Sequence, residues 1–491
     1  GYSQHVYRGS GDRYGTRNGI SQHMGRNKED IDMAKNAFIF DTNKCVGCMA
    51  CVVACTIENG TTTPLNWRTV NSHNYIKHPT LPVFHNSLAC NHCDDAPCIT
   101  NCPALAYSRD KDTGAIIHNA EACIGCTYCT WACPYDAPKF NEQTKIVEKC
   151  NFCIDRISDN RKPACVAACP VGALEYGTNE EVDLKKHLTP GFVDAGIGPS
   201  IQLVPLRKEH EMPTIENIDA PVIDNEKAAS YLPKLKTKVE LSKEWTLVLF
   251  SLAAAGLIAW QAAAITSQVA ISPILFVLLA LIAIALTTIH VGKKFRIWRF
   301  ILNVKGSWLS REIFSFSAFF GLGALSLFMK DNLLGMGNLL SFVDSKTVGI
   351  AAIVFGAFTL VSIDMVYKFF IRADNLKLHS AMAWITAPFL FAWLANIPLL
   401  IGLLTLLKGG LYIYRKTTFC NNKVKHHPTL SAVRLLTLTL PFILFIVMPQ
   451  TSLWILLPTL FVGEVIDRSE FYHESEVRTP QGELRELFYH N

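Results

Sequence analysis

The chain is 491 residues long, 50% hydrophobic and 18% charged, with 17 cysteines and a formal net charge of +5. That length exceeds one core, and every cysteine except Cys420 falls between Cys45 and Cys169 while the long uncharged runs follow Glu244, so a cysteine-rich soluble head precedes a membrane half. The positive charge gathers beside the apolar runs, a placement that orients a membrane protein and makes no case for nucleic acid.

Residues 1–37 read as a polar tail. Gly1–Asp30 have neither an apolar core nor a twin arginine, so they do not form an export signal, although a chain that opens on Gly leaves a removed leader open.

Four cysteine groups follow. Cys45, Cys48, Cys51 and Cys55 form C-x2-C-x2-C-x3-C, and Cys90, Cys93, Cys98 and Cys102 form C-x2-C-x4-C-x3-C. Cys123, Cys126, Cys129 and Cys133 repeat the first pattern, and Cys150, Cys153, Cys165 and Cys169 close the set as C-x2-C-x11-C-x3-C. An iron–sulfur cube takes one thiolate per iron; three close cysteines wrap one cluster and the fourth reaches a neighbouring one. Four groups of four leave no cysteine over. Paired C-x2-C units also suit zinc, but a third cysteine followed by x3-C-P, as at Pro103, Pro134 and Pro170, suits it poorly. Disulfides fit the spacing less well still.

The segments DTNKCVGCMACVVACTIENG, LACNHCDDAPCITNCP, CIGCTYCTWACPYDAPKFN and KCNFCIDRISDNRKPACVAACPVGAL, within residues 38–177, resemble the four-cluster iron–sulfur subunit of the dimethyl sulfoxide reductase family. The resemblance implies a first cluster on Cys45, Cys48, Cys51 and Cys169, and a second on Cys150, Cys153, Cys165 and Cys55. It implies a third on Cys90, Cys93, Cys98 and Cys133, and a fourth on Cys123, Cys126, Cys129 and Cys102. In that family the first lies nearest a molybdenum subunit and the fourth nearest the membrane. Some relatives replace the second cysteine of the third group and hold a three-iron cluster; here that position is Cys126, so four [4Fe–4S] clusters are expected.

After this head, 38–180, residues 181–243 are rich in Pro, Gly and charge and read as an extension and linker, with Lys234, Lys236, Lys238 and Lys243 meeting the membrane. The membrane domain, 244–470, opens with residues 245–292, which lack Asp, Glu, Lys and Arg and suffice for two spans. Apolar runs at 313–329, 347–363, 381–407, 431–448 and 452–466 make seven, before a C-terminal tail, 471–491. Cys420 reads as a loop thiol. The stretch HVGKKFRIWRFILNVKGSWLSREI and the later GEVIDRSEFY resemble the membrane anchor of the same reductases, which commonly has eight spans, so one helix near 400–430 is missing or disguised. The fold class expected is an α+β ferredoxin-like domain, with its four Cys groups in two pseudo-twofold dicluster units, followed by an all-α polytopic membrane domain of 7–8 helices.

Residues 293–311 hold six Lys or Arg and no acid, which places that loop and the cluster domain on the cytoplasmic side of a bacterial inner membrane. The basic stretch 408–434 falls outside on a seven-span count and so conflicts with that rule. Export beside a signal-bearing partner keeps a periplasmic head as the alternative.

A one-electron relay joined to a membrane domain needs a membrane-soluble redox partner, and menaquinol or a similar quinol fits. His290 and Glu312 bracket the basic loop and are the candidate quinol site, one hydrogen-bonding a hydroxyl and taking its proton, the other passing it on. The anchor resemblance implies a quinol role for the histidine. A bis-histidine haem needs two inward histidines and His290 is read as the sole one at a span end, so no haem is expected. Glu464 with Arg468 is read as a second polar contact or a structural ion pair. No substrate-reducing site stands out, so a molybdopterin partner acting on nitrate, a sulfur oxyanion, polysulfide or an S-/N-oxide is expected. The relay run backwards for a dehydrogenase is the alternative. A ferredoxin-headed transport module is another, disfavoured because the spans show few buried charges and no broken helix pair.

Overall fold

The computed structural model describes residues 35–178, 192–204 and 239–480, apart from 62–63, 74–82, 193–194, 268, 340–341, 370–377, 422–427, 449–451 and 475–478. The N-terminal tail to residue 34 and most of the linker, with Lys234, Lys236 and Lys238, lie outside the described residues.

The head is built from small sheets whose loops carry the cysteines. β1 (Asn36–Asp41) runs antiparallel to β8 (Leu174–Thr178) and parallel to β9 (Ile201–Val204), so the extension supplies a strand to the head. Alternation along β1 turns Phe38 and Phe40 into the core, where Phe38 stacks on Phe152 at 4.3 Å. Three antiparallel pairs complete the set: β2 (Thr69–His73) with β3 (Phe84–Leu88), β4 (Tyr107–Arg109) with β5 (Ile116–His118), and β6 (Lys139–Asn141) with β7 (Ile146–Glu148). Five short helices, α1 (Ala50–Glu58), α2 (Pro97–Thr100), α3 (Tyr128–Ala132), α4 (Ile154–Ser158) and α5 (Ala164–Ala167), carry or follow cysteines.

Among the described residues the seven apolar runs become eight helices of twelve or more residues. They are α6 (Leu241–Thr266), α7 (Pro273–Ile289), α8 (Trp308–Lys330), α9 (Ser345–Val366), α10 (Ala383–Leu394), α11 (Pro398–Asn421), α12 (Pro428–Val447) and α13 (Leu453–Glu474). The run 381–407, read as one span, splits because Asn396 is left-handed (φ 53°) and Pro398 opens a new helix. Because the new helix continues to Asn421, Cys420 is helical rather than in a loop. Among the described residues α6, α8, α9 and α12 are long and apolar enough to cross a membrane by composition alone. A fifth candidate joins α7 to the short helix Lys294–Ile301 across a 106° bend, a broken pair that the sequence did not reveal. α11 and α13 fall short because of charges that are buried inside the bundle, including Lys408, Arg415, Glu464 and Asp467.

Candidate functional site

Each cysteine loop is wound by left-handed residues at matching places. Between the cysteines of the first group Gly47 and Met49 have φ of 69° and 65°, and at the same offsets in the third Gly125 and Thr127 have 72° and 58°. In the second and fourth groups His92 (45°) and Phe152 (64°) correspond. These reversals turn successive thiols to one side, and the likeness of first to third and second to fourth gives the head two similar halves.

The thiols gather across groups. Cys45 lies within electrostatic reach of Cys48, Cys51 and Cys169, while Cys55 neighbours Cys153 and Cys165, with Cys150 beside it. Cys93 lies with Cys90, Cys98 and Cys133, and both Cys126 and Cys129 with Cys102 and Cys123. The quartets form a line, since Cys51 adjoins Cys55, Cys150 adjoins Cys90, and Tyr107 stands between Cys98 and Cys129. Among the described residues no three His, Cys, Asp or Glu groups converge tightly enough for a single metal ion.

Burial, with repulsion between thiolates, pushes the Cys55 and Cys98 thiols up to about 12. Such thiols ionise only against a positive centre, which fits iron. Donors already aim at the sulfurs: Ala106 N–H at Cys102 Sγ, Tyr107 O–H at Cys129 Sγ and Ala173 N–H at Cys169 Sγ, each at 3.3 Å.

The basic loop after α7 grips the fourth quartet. Lys293 N–H donates to Ile124 O at 2.9 Å, Arg296 to Ala120 O at 2.8 Å and Cys123 O at 3.1 Å, and Asn303 to Cys102 O at 2.9 Å. Arg296 also pairs with Glu121 at 2.7 Å. The loop read as a topology marker is thus also the dock for the head. Glycine is required here: a Cβ on Gly125 or on Gly292 would fall inside contact of the Lys145 carbonyl oxygen.

At this junction lies a small cavity whose lining includes Cys126, Tyr128, Ser251, His290, Glu312 and Tyr367. The two residues singled out from the sequence therefore share one chamber with a fourth-quartet cysteine. His290 caps α7, and its Nδ1 is buried with no hydrogen-bond partner. Glu312 sits in the first turns of α8, held by the Ser307 cap, whose Oγ accepts from Ser310 N–H at 3.4 Å. Tyr128, Ser251 and Tyr367 were missed; only Tyr128, between two cysteine ligand candidates, carried a sequence signal. Tyr128 O–H reaches Val366 O at 3.3 Å, tying the head to the end of α9.

The expectation of few buried charges is wrong. Lys408 pairs with Glu464 (2.9 Å), Arg434 with Glu464 (2.8 Å) and Asp467 (3.0 Å), and Arg415 with Asp467 (2.8 Å) and Glu474 (3.1 Å). Arg468 faces Asp364 at 3.6 Å, so Glu464 and Arg468 are not each other's partners. His379, in the turn before α10, is a buried histidine that the sequence reading passed over; it stacks on Phe471 at 4.3 Å, and Phe471 lies edge-on to Tyr367 of the cavity wall. The network joins α11, α12 and α13 to the end of α9, which touches the head. Lys408, Arg415 and Arg434 therefore lie at the end of the bundle that meets the head. Removing one member leaves a buried charge unpaired, so Arg434→Ala is expected to destabilise the chain by about 3–5 kcal/mol, measured by thermal unfolding in detergent.

Thiol quartets in line, docked on an apolar helical bundle, define an iron–sulfur electron-transfer protein with its own membrane anchor. Residues 82–179 match the 4Fe-4S dicluster domain and residues 242–404 the DMSO reductase anchor subunit. The protein is 35% identical over 158 residues to one component of the anaerobic dimethyl sulfoxide reductase of Escherichia coli, covering 30% of this sequence and 76% of that one. It is 36% identical over 172 residues to one component of the sulfite dehydrogenase of Allochromatium vinosum, 31% and 72% of the two sequences. Against the iron-sulfur subunit of the nitrate-inducible formate dehydrogenase of Escherichia coli it is 30% identical over 263 residues, 49% and 86%. The chain belongs to the iron–sulfur subunits of the dimethyl sulfoxide reductase family, fused here to a DMSO reductase-type anchor.

Proposed function

We propose that this chain carries electrons from membrane quinol, menaquinol or a similar one, through four [4Fe–4S] clusters to a molybdopterin-containing catalytic partner. The single observation that carries the reading is the cavity in which His290 and Glu312 meet Cys126. The ligand sets follow the four gatherings of thiols: Cys45, Cys48, Cys51 and Cys169; Cys55, Cys150, Cys153 and Cys165; Cys90, Cys93, Cys98 and Cys133; and Cys102, Cys123, Cys126 and Cys129. When bound, the clusters supply one-electron steps at each point of the line.

Quinol oxidation releases two electrons and two protons. His290, with its free Nδ1, hydrogen-bonds one hydroxyl and takes its proton, and Glu312 takes the second; the electrons leave singly past Cys126. The polar ends of Tyr128 and Ser251 orient the ring, while Phe250, Leu309 and Ile363 exclude bulk water. No haem b is part of this reading. At the other end the first quartet opens on an exposed apolar surface of Val46, Met49, Val53, Ile57 and Val171, which suits a catalytic subunit docking over Cys48. Eight spans put both ends of the bundle, the head and the basic loops on one side, and the excess of Lys and Arg there favours the cytoplasmic face of the inner membrane.

Two of the three relatives are named as subunits of dehydrogenases, so the same relay run backwards, reducing quinone, is the second reading. Anaerobic addition of a quinol analogue to the purified full-length chain tests the function: the iron–sulfur absorption should bleach. Failure to bleach with quinol, where dithionite bleaches fully, overturns it.

A further inference from the structure

We propose that Arg68 is a positioning residue for the second cluster, raising its reduction potential above that which the four cysteines alone would set. The inference rests on the assignment of Cys55, Cys150, Cys153 and Cys165 to one cluster.

Arg68 enters β2 from a bend and is 2% exposed. Its guanidinium lies over the Phe38 ring at 4.7 Å, and Nη1 donates to Ser87 Oγ at 3.1 Å and to Ser87 O at 3.4 Å. Ser87 Oγ in turn lies 3.4 Å from Cys51 Sγ. Nε and Nη2 are buried with no hydrogen-bond partner. Among the described residues no carboxylate pairs with this cation; its charged neighbours are Cys165, Cys150, Cys51 and Cys55. A buried guanidinium without a counter-ion is strongly unfavourable, and among the described residues the charges that face it are these thiols. Three of its four sulfur neighbours belong to the second quartet and one to the first, so its field falls mainly on the second cluster. One-electron reduction adds one negative charge to a cluster and moves no proton. A fixed cation beside it stabilises the reduced form more than the oxidised one, and hydrogen bonds to sulfur act in the same sense. Lys149, another buried cation close by, donates to the carbonyls of Ile116 and Cys150.

The test is a potentiometric titration followed by electron paramagnetic resonance on the full chain and on Arg68→Gln, each with iron measured. Arg68→Gln keeps two donors and loses the charge; one midpoint should fall while the two at the membrane end hold. A full iron complement with all four midpoints unmoved overturns the role of Arg68. If Arg68→Gln loads less iron, Arg68→Lys and Arg68→Met decide: Arg68→Lys keeps the charge and should hold the midpoint near the parent value, Arg68→Met removes it and should lower that midpoint, and equal midpoints in the two overturn the proposal. Fewer than four clusters in the parent chain would instead refute the assignment on which it rests.

Discussion

Gly292→Val is expected to slow quinol-driven reduction of the clusters about 100-fold while leaving dithionite reduction intact, because misplacing reaction partners by about 1 Å costs on that order. Gly292 ends the HVG stretch, and any side chain there runs into the Lys145 carbonyl, with Gly125 packed alongside. The backbone bond from Lys293 to Ile124 and the Arg296 contacts to Ala120 and Cys123 all hang on that approach. Valine forces the head off the end of α7, widening the gap between the cavity and the fourth quartet. Stopped-flow absorbance with a quinol analogue measures the effect. Gly321, whose Cβ would meet nothing, is the control, and Gly321→Ala should reduce at the parent rate.

Cys126→Ala is expected to slow quinol-driven reduction of the whole relay and to leave a three-iron cluster at the fourth quartet, lowering the iron from about sixteen to about fifteen per chain. Its thiol belongs to the quartet beside the cavity and itself lines that cavity, so it stands at the electron's point of entry. The three other clusters should still form and still accept electrons from dithionite, because their thiols come from quartets further along the line. Iron analysis and electron paramagnetic resonance check both parts.

The four cysteine groups were legible because their spacing suits cluster chemistry and because the loops wind locally, with glycine at two of the left-handed turns; how the groups share clusters came from the family resemblance. His290 and Glu312 were legible as a pair of polar residues flanking one loop. What brings them to Cys126 was not, since Arg296 and Asn303 find carbonyls some 170 to 200 residues earlier in the chain. Asn396 and Pro398 signalled a break inside the run 381–407, yet the unbroken hydropathy hid it. The buried ion network had a pattern too. Glu464, Asp467, Glu470 and Glu474 recur at helical spacing along α13, as do Lys408 and Arg415 along α11. Each stripe alone resembles a surface or a loop; only their pairing, which depends on which helices lie side by side, makes them an interior.

The central claim is that electrons enter through the cavity shared by His290, Glu312 and Cys126. The most direct measurement mixes a quinol analogue anaerobically with the full chain, His290→Ala and Glu312→Gln, and follows the iron–sulfur signals by rapid-freeze electron paramagnetic resonance. The account predicts fast reduction in the parent chain and reduction at least about tenfold slower in both variants, with equal dithionite-reducible iron in all three. Parent-like rates in His290→Ala would contradict it.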